Sequence, residues 1–157
     1  MVREIKTAYT YDDVIIVPCK SDVLSRANGC TRTRICKGVE SKMPIISANM
    51  ATVTDDNMAK EMARLGGAGV LHRFDSIEEN VRQLSRVIHS NTFNGFSSIV
   101  GGSVGVKDDY LDRAKALYQA GVTFIVIDIA HGHHTLMLKA IKALREVVGD
   151  LPLIAGN

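Results

Sequence analysis

Repeated strand–helix units with short connections predict an α/β fold. Three observations narrow it to a (β/α)8 TIM barrel of which this chain carries about the first four and a half units. Runs at 43–47, 69–72, 98–104, 124–127 and 151–155 are mostly apolar rather than alternating, as parallel strands covered on both faces require. Each unit takes about 28 residues, so eight approach the ~250 residues of such a barrel. The first run carries no Gly-x-Gly-x-x-Gly turn, which counts against the dinucleotide-binding open sheet.

Residues 8–26 form an irregular lead-in with Val14-Ile15-Ile16-Val17 as one short extended piece. Residues 27–43, rich in Thr, Arg and Lys, form a small hairpin or a surface loop. Regular alternation starts with a strand over Met43–Ser47. A helix over Asp55–Leu65 follows, with Met58, Met62 and Leu65 on one face. Gly66-Gly67 ends it before a strand over Gly69–His72. Ser76 with Glu79 three residues on predicts a capping box opening a helix through Val81, Leu84 and Ile88. After a strand over Ser98–Val104, Asp108 caps a helix ending at Ala120-Gly121. The last unit has a strand over Phe124–Ile127 and a helix over Thr135–Val148 with Leu138, Ile141, Leu144, Val147 and Val148 on one face. Leu151–Ala155 starts a fifth unit, running into Gly156-Asn157.

The composition sets limits on function. Nineteen basic against seventeen acidic residues give a net charge of +2, too small to argue for nucleic acid or a membrane surface. The lack of Trp argues against a base-stacking platform. No apolar stretch is long enough to span a bilayer, and the charged start Met-Val-Arg-Glu-Ile-Lys has no signal-peptide core behind it. Cys19, Cys30 and Cys36 have no Cys-x-x-Cys spacing, which points to free thiols in reducing cytosol. Each lies in the lead-in without a nearby His, so none reads as a nucleophile.

A barrel carries its chemistry just past the C-terminal ends of its strands. Those positions hold Ser47–Val53, His72–Asp75, Gly105–Lys107, Asp128–His134 and Gly156-Asn157. Asp128 can accept hydrogen bonds from sugar hydroxyls or serve as a cap or ion-pair partner. Arg73 can grip a phosphate bidentately or be a solvated charge, and the same two readings apply to Ser25-Arg26. Met50 can lie under a flat ring or belong to the core. Gly101, Gly102 and Gly105 admit a ligand to the backbone or serve tight packing. His131, His133 and His134 invite a metal reading, but no His-x-His pair ends the first strand. No metal is therefore expected: His131 lines the site, and His133-His134 start a surface helix.

Taken in order, these strings resemble the IMP dehydrogenase / GMP reductase family. The resemblance runs from Tyr11-Asp12-Asp13-Val14 through Pro44-Ile45-Ile46-Ser47-Ala48-Asn49-Met50, His72-Arg73-Phe74-Asp75 and Ser103-Val104-Gly105-Val106-Lys107. It continues in Ile127-Asp128-Ile129-Ala130-His131-Gly132-His133 and ends in Ile154-Ala155-Gly156-Asn157. Typical dehydrogenases of the family insert paired regulatory CBS modules after the second unit. Here Val87-Ile88-His89 passes to Ser98-Ile99-Val100 within about ten residues. That spacing, the Ala-Asn-Met and Ala-Gly-Asn strings and Leu24-Ser25-Arg26 are closest to the bacterial-type reductase.

The resemblance implies one catalytic barrel domain, residues 1–157 being its N-terminal part: a lead-in over 1–43, then strands one to five over 44–157. It implies NADPH-dependent reductive deamination of GMP to IMP and ammonia, by cysteine attack at the purine C2 and hydride transfer from the nicotinamide. It assigns Asp128, Ile129 and Ala130 to the nicotinamide-riboside side of NADPH, with Arg73 beside them. Ser25 and Arg26 go to the adenosine end, reaching across from a neighbouring subunit. Met50 goes under the purine and Asn157 near the reacting centre. Ala51 stands where many members have Asp or Gln, which removes a polar role there. The family's catalytic Gly-x-x-Cys-x-Thr loop has no counterpart in this chain, so no catalytic residue is assigned and the 157 residues alone are expected to be inactive. The complete protein is expected to be a cytoplasmic homotetramer. The alternatives are an IMP dehydrogenase without CBS modules, using NAD, and a non-catalytic nucleotide-binding half-barrel.

Overall fold

The computed structural model describes residues 6–90 and 98–157. The chain divides into two units, Met1–Cys30 and Thr31–Asn157. In the first unit every described residue is exposed, and its regular structure is two 3-10 turns, Tyr11–Asp13 and Arg26–Asn28. The Asp13 carboxylate accepts from both the N–H and the hydroxyl of Thr10, at 2.8 and 2.9 Å, which holds its carboxyl below the usual value. Val14–Val17 joins no strand.

The second unit opens with an antiparallel hairpin, β1 (Thr33–Cys36) and β2 (Val39–Ser41). Gly38 turns it with φ +77°, a conformation L side chains resist. Of the two readings of residues 27–43, the hairpin is therefore the one that forms. Five parallel strands follow: β3 (Ile46–Ser47), β4 (Ala68–Leu71), β5 (Val100–Val104), β6 (Phe124–Ile127) and β7 (Leu153–Ala155). Helices α1 (Asp56–Arg64), α2 (Ile77–Ser90), α3 (Tyr110–Gln119) and α4 (Thr135–Val148) connect them. The sheet runs β3-β4-β5-β6-β7, in chain order. A doubly wound sheet reverses direction at a switch point, and this one does not. With right-handed crossovers, unbroken order puts all four helices on one face, and α1–α2, α2–α3 and α3–α4 pack as neighbours. This is the arrangement of a partial (β/α)8 barrel.

Element ends depart from the sequence expectation where local hydrogen bonds compete with the ladder. β3 is shorter than 43–47 because the N–H groups of Lys42 and Met43 both donate to the Gly66 carbonyl, and that of Ile45 turns back to Met43. β7 begins at Leu153 because Arg145 Nη1 donates to the carbonyls of Gly149 and Leu151, holding that stretch against the end of α4. Asp55, expected as the first residue of the helix, instead caps α1, accepting from the Met58 N–H at 2.9 Å. At α2 only half of the capping box forms: the Ser76 hydroxyl accepts from the Glu79 N–H, while the Glu79 carboxylate turns to Arg82 and Arg86. Asp108 does not cap α3. It takes a positive φ of 57°, and Asp109 becomes the N-cap residue, its carboxylate spent on Arg113.

Strand residues alternate between two apolar layers. Leu71, Val100, Val104, Ile125 and Ile127 pack against Leu84, Val87, Leu117, Met137 and Leu144 of the helices. Ala68, Val70 and Phe124 point to the opposite face, where Val39 of the hairpin meets them. A Cβ on Gly101 would sit 2.5 Å from the Phe124 ring, and one on Gly102 would sit 2.8 Å from Leu117. Both glycines therefore serve packing, which settles their two sequence readings against ligand approach. Each leaves space for a large side chain whose full burial contributes about 1.5–3 kcal/mol.

A charged clamp joins α1 to α2. Asp56 Oδ2 accepts from Arg86 Nε at 2.9 Å and from Lys60 Nζ at 2.6 Å, and Arg86 reaches on to Glu79. Arg86, then Lys60, draw the Asp56 carboxyl down from 3.8 to about 2 against the opposing effect of burial. A carboxyl depressed in the folded state contributes stability above its unfolded pKa and loses it as pH falls through the folded one. The clamp is therefore complete above pH 4 and is lost between about pH 4 and pH 2. Asp56→Asn is expected to lower unfolding free energy by about 1–2 kcal/mol at neutral pH, a difference that shrinks toward pH 2, as urea titrations at both pH values would measure.

Candidate active site

The strand-end residues gather where the loops of β4, β5 and β6 meet. Arg73 follows β4 and Asp128 follows β6, and Arg73 Nε donates to Asp128 Oδ2 at 3.0 Å across 55 residues of sequence. The Asp128 N–H donates to the Val104 carbonyl at 2.8 Å, which fixes the root of its loop to the end of β5. The Arg73 guanidinium stacks on the Phe74 ring with Cζ 4.9 Å from the centroid. Gly105 lies alongside it, where a Cβ would be 3.6 Å from Arg73 Nη1, an ordinary van der Waals contact. With Nε engaged, both terminal nitrogens are without a hydrogen-bond partner among the described residues and can donate to a ligand.

Asn157 joins this rim through the next loop. Its Nδ2 donates to the Ala130 carbonyl at 3.2 Å, while the Gly156 N–H donates to Ile127 at 3.1 Å. Gly132 lies against the same backbone, where a Cβ would come 2.7 Å from the Gly156 carbonyl oxygen. Four of the eight residues that the resemblance assigned thus share a connected rim, Arg73, Asp128, Ala130 and Asn157, while Ile129 packs against the helix-side core. Met50 stands on the loop after β3, half exposed and outside both apolar clusters. That loop is braced by Thr54 Oγ1, which donates to the Ala48 carbonyl at 2.5 Å and lies within hydrogen-bond distance of Ser47 Oγ at 2.9 Å, and Ala51 is exposed on it. Ser25 and Arg26 belong to the first unit, where the Ser25 hydroxyl caps the second turn by accepting from Ala27.

The three histidines after β6 do not form a ligand cluster. His134 caps α4, its Nδ1 accepting from the Leu136 N–H at 3.0 Å, and His131 and His133 stack with centroids 6.5 Å apart. Among the described residues no group of three or more His, Cys, Asp or Glu side chains converges as metal ligands. All three cysteines are free, and burial pushes the Cys36 thiol up.

One feature of the site escaped the sequence reading. Beneath the Arg73 loop lies a buried polar cluster of His72, Asn80, Gln83 and Arg113. Asn80 Nδ2 donates to the His72 carbonyl at 3.0 Å, Gln83 Nε2 donates to Asp75 at 2.7 Å, and Arg113 donates to Asn80 Oδ1. The available signal was in the pattern of α2: Asn80 and Gln83 occupy core-facing positions beside Leu84 and Val87.

Residues 8–157 match the family description "IMP dehydrogenase / GMP reductase domain". Among curated relatives, the chain is 34% identical over 149 residues to a GMP reductase of Streptococcus gordonii, covering 95% of this chain and 43% of the relative. It is 34% identical over 154 residues to a GMP reductase of Bacillus subtilis, covering 97% and 45%. It is 30% identical over 192 residues to an inosine-5'-monophosphate dehydrogenase of Cryptosporidium parvum, covering 99% and 47%. The chain thus spans less than half the length of these relatives.

The Arg73–Asp128 side chains are about one-third exposed, at 35% and 30%, so solvent screens the pair. Asp128→Asn is expected to change unfolding free energy by less than about 1 kcal/mol, measured by urea titration. A much larger loss would make the pair structural.

Proposed function

Because the chain belongs to the IMP dehydrogenase / GMP reductase family, we propose that residues 1–157 are the N-terminal part of one catalytic barrel, with 1–43 as lead-in and 44–157 carrying its first five strands. The reaction of the whole protein is NADPH-dependent reductive deamination of GMP to IMP and ammonia, in the cytoplasm and in a homotetramer. The observation that carries the site is the Arg73–Asp128 bond, which joins two residues singled out separately from the sequence.

Bound NADPH supplies a hydride for the purine C2. Asp128 accepts from the ribose hydroxyls on the nicotinamide side, and the Ile129-Ala130 backbone lines that end. Arg73, oriented by Asp128, turns its free nitrogens to acceptor oxygens of the cofactor. Ser25 and Arg26 take the adenosine end from a neighbouring subunit, the arginine suiting the 2′-phosphate that separates NADPH from NADH. Met50 supports the purine face, and Asn157 borders the reacting centre. The cysteine that attacks C2 in this chemistry is not Cys19, Cys30 or Cys36, since none lies in a Gly-x-x-Cys-x-Thr string.

The spacing of the chain favours the reductase over the dehydrogenase. Both reductases align almost residue for residue over nearly the whole chain, whereas the dehydrogenase alignment stretches to 192 positions for a 157-residue chain. The dehydrogenase therefore carries inserted residues that the chain and the reductases lack, and no CBS module interrupts residues 1–157.

The test is NADPH titration of the purified chain, followed by nucleotide fluorescence, with NAD in parallel. Binding of NADPH in preference to NAD is expected, weakened about tenfold or more by Arg73→Ala or Asp128→Asn, the usual loss for a hydrogen bond to a charged group. GMP-dependent NADPH oxidation by these 157 residues is expected to be nil. Preference for NAD over NADPH would favour the dehydrogenase instead, and absence of any nucleotide binding would overturn the cofactor reading.

A further inference from the structure

The buried cluster beneath the Arg73 loop spans three elements and ends at the rim. Arg113, on α3, is 6% exposed. Its Nη2 donates to Asp109 at 2.6 Å and its Nη1 to Asn80 Oδ1. Asn80, on α2, is 1% exposed and passes the connection on, its Nδ2 donating to the His72 carbonyl. His72 is 6% exposed, and its Nδ1 accepts from the Phe74 N–H at 3.2 Å. Its Nε2 faces Asp75 Oδ2 at 3.5 Å, and Asp75 is held from below by Gln83. Arg73 lies between the two anchored residues, its guanidinium against the Phe74 ring.

Burying a guanidinium is costly unless it is paired and hydrogen-bonded, and the layer around α3 is otherwise built of apolar contacts. The output of the chain of bonds is the backbone on both sides of Arg73. We propose that Arg113 and Asn80 are positioning residues: through His72 and Phe74 they hold Arg73 in the orientation that meets Asp128. Neither touches a ligand. Their effect reaches the cofactor only through Arg73, so the cofactor arm of the test rests on the proposed function while the orientation arm does not.

Asn80→Asp keeps an acceptor for Arg113 but removes the donor to His72. Arg113→Lys keeps the cation but not the forked geometry that serves Asn80 and Asp109 together. In the unaltered chain the Arg73 Nε–H is expected as a distinct, exchange-protected NMR signal. In each variant that signal is expected to merge with free arginines while the backbone amides of β5–β7 and α4 keep their positions. The NADPH dissociation constant is expected to rise about tenfold in each variant, and not to rise further when Asn80→Asp is added to Arg73→Ala, as two residues acting through one contact require.

Persistence of the Arg73 signal in folded variants overturns the proposal. So does unfolding of both variants, which would assign the cluster to stability alone, or an equal further loss of binding in the Arg73→Ala background. Loss of the signal in a chain that binds no NADPH leaves the positioning role standing and removes the cofactor. Intact NADPH binding with an unresponsive Arg73 does the reverse.

Discussion

A parallel sheet presents two faces, and both must be covered. In this chain helices bury one face, while the hairpin covers only part of the other and leaves Ile46 46% exposed. One face is covered by four helices that pack edge to edge. The other meets the β1–β2 hairpin through Val39, with Ala68, Val70 and Phe124 as the apolar contacts. Gly101 and Gly102 let a ring and a leucine approach the central strand from opposite sides. Apolar side chains fill the strands themselves, so polar groups collect where the strands end.

The rim is assembled from groups that contribute little to folding. The Arg73–Asp128 pair is partly solvated, and its net contribution in such a setting is small. The polar groups beneath it are different in kind: Arg113 and Asn80 are buried and hydrogen-bonded. The loop after β4 therefore has a stiff underside and an exposed upper surface, a combination suited to holding a guanidinium still while leaving its outer nitrogens open.

The strand–helix order was legible because periodicity and apolar runs act locally: β6 and α4 have the bounds their residues predict. Ends were less legible where a distant partner decides them. Nothing in 43–45 announces that the Gly66 carbonyl takes the N–H groups of Lys42 and Met43, and nothing around Ser76 shows that Glu79 has arginine partners from one and two turns further on. Among the site residues, Arg73 and Asp128 were visible as polar groups after apolar strands, but their mutual bond depends on register across the intervening strand. Asn80 and Arg113 were hidden because a polar residue in a helix is ordinarily solvated, and its burial depends on a neighbouring element far away in sequence.

Gly132 abuts the Gly156 carbonyl so closely that any side chain there would push the two loops apart. Those loops lie after different strands and carry different rim residues, yet neither can shift without the other. A change that shifts the loop after β6 must be matched by one after β7, so drift at these strand ends proceeds in coordinated steps or stalls. Adaptation to a new ligand is accordingly easier through the loop after β3, whose internal brace by Thr54 leaves it free to vary by itself.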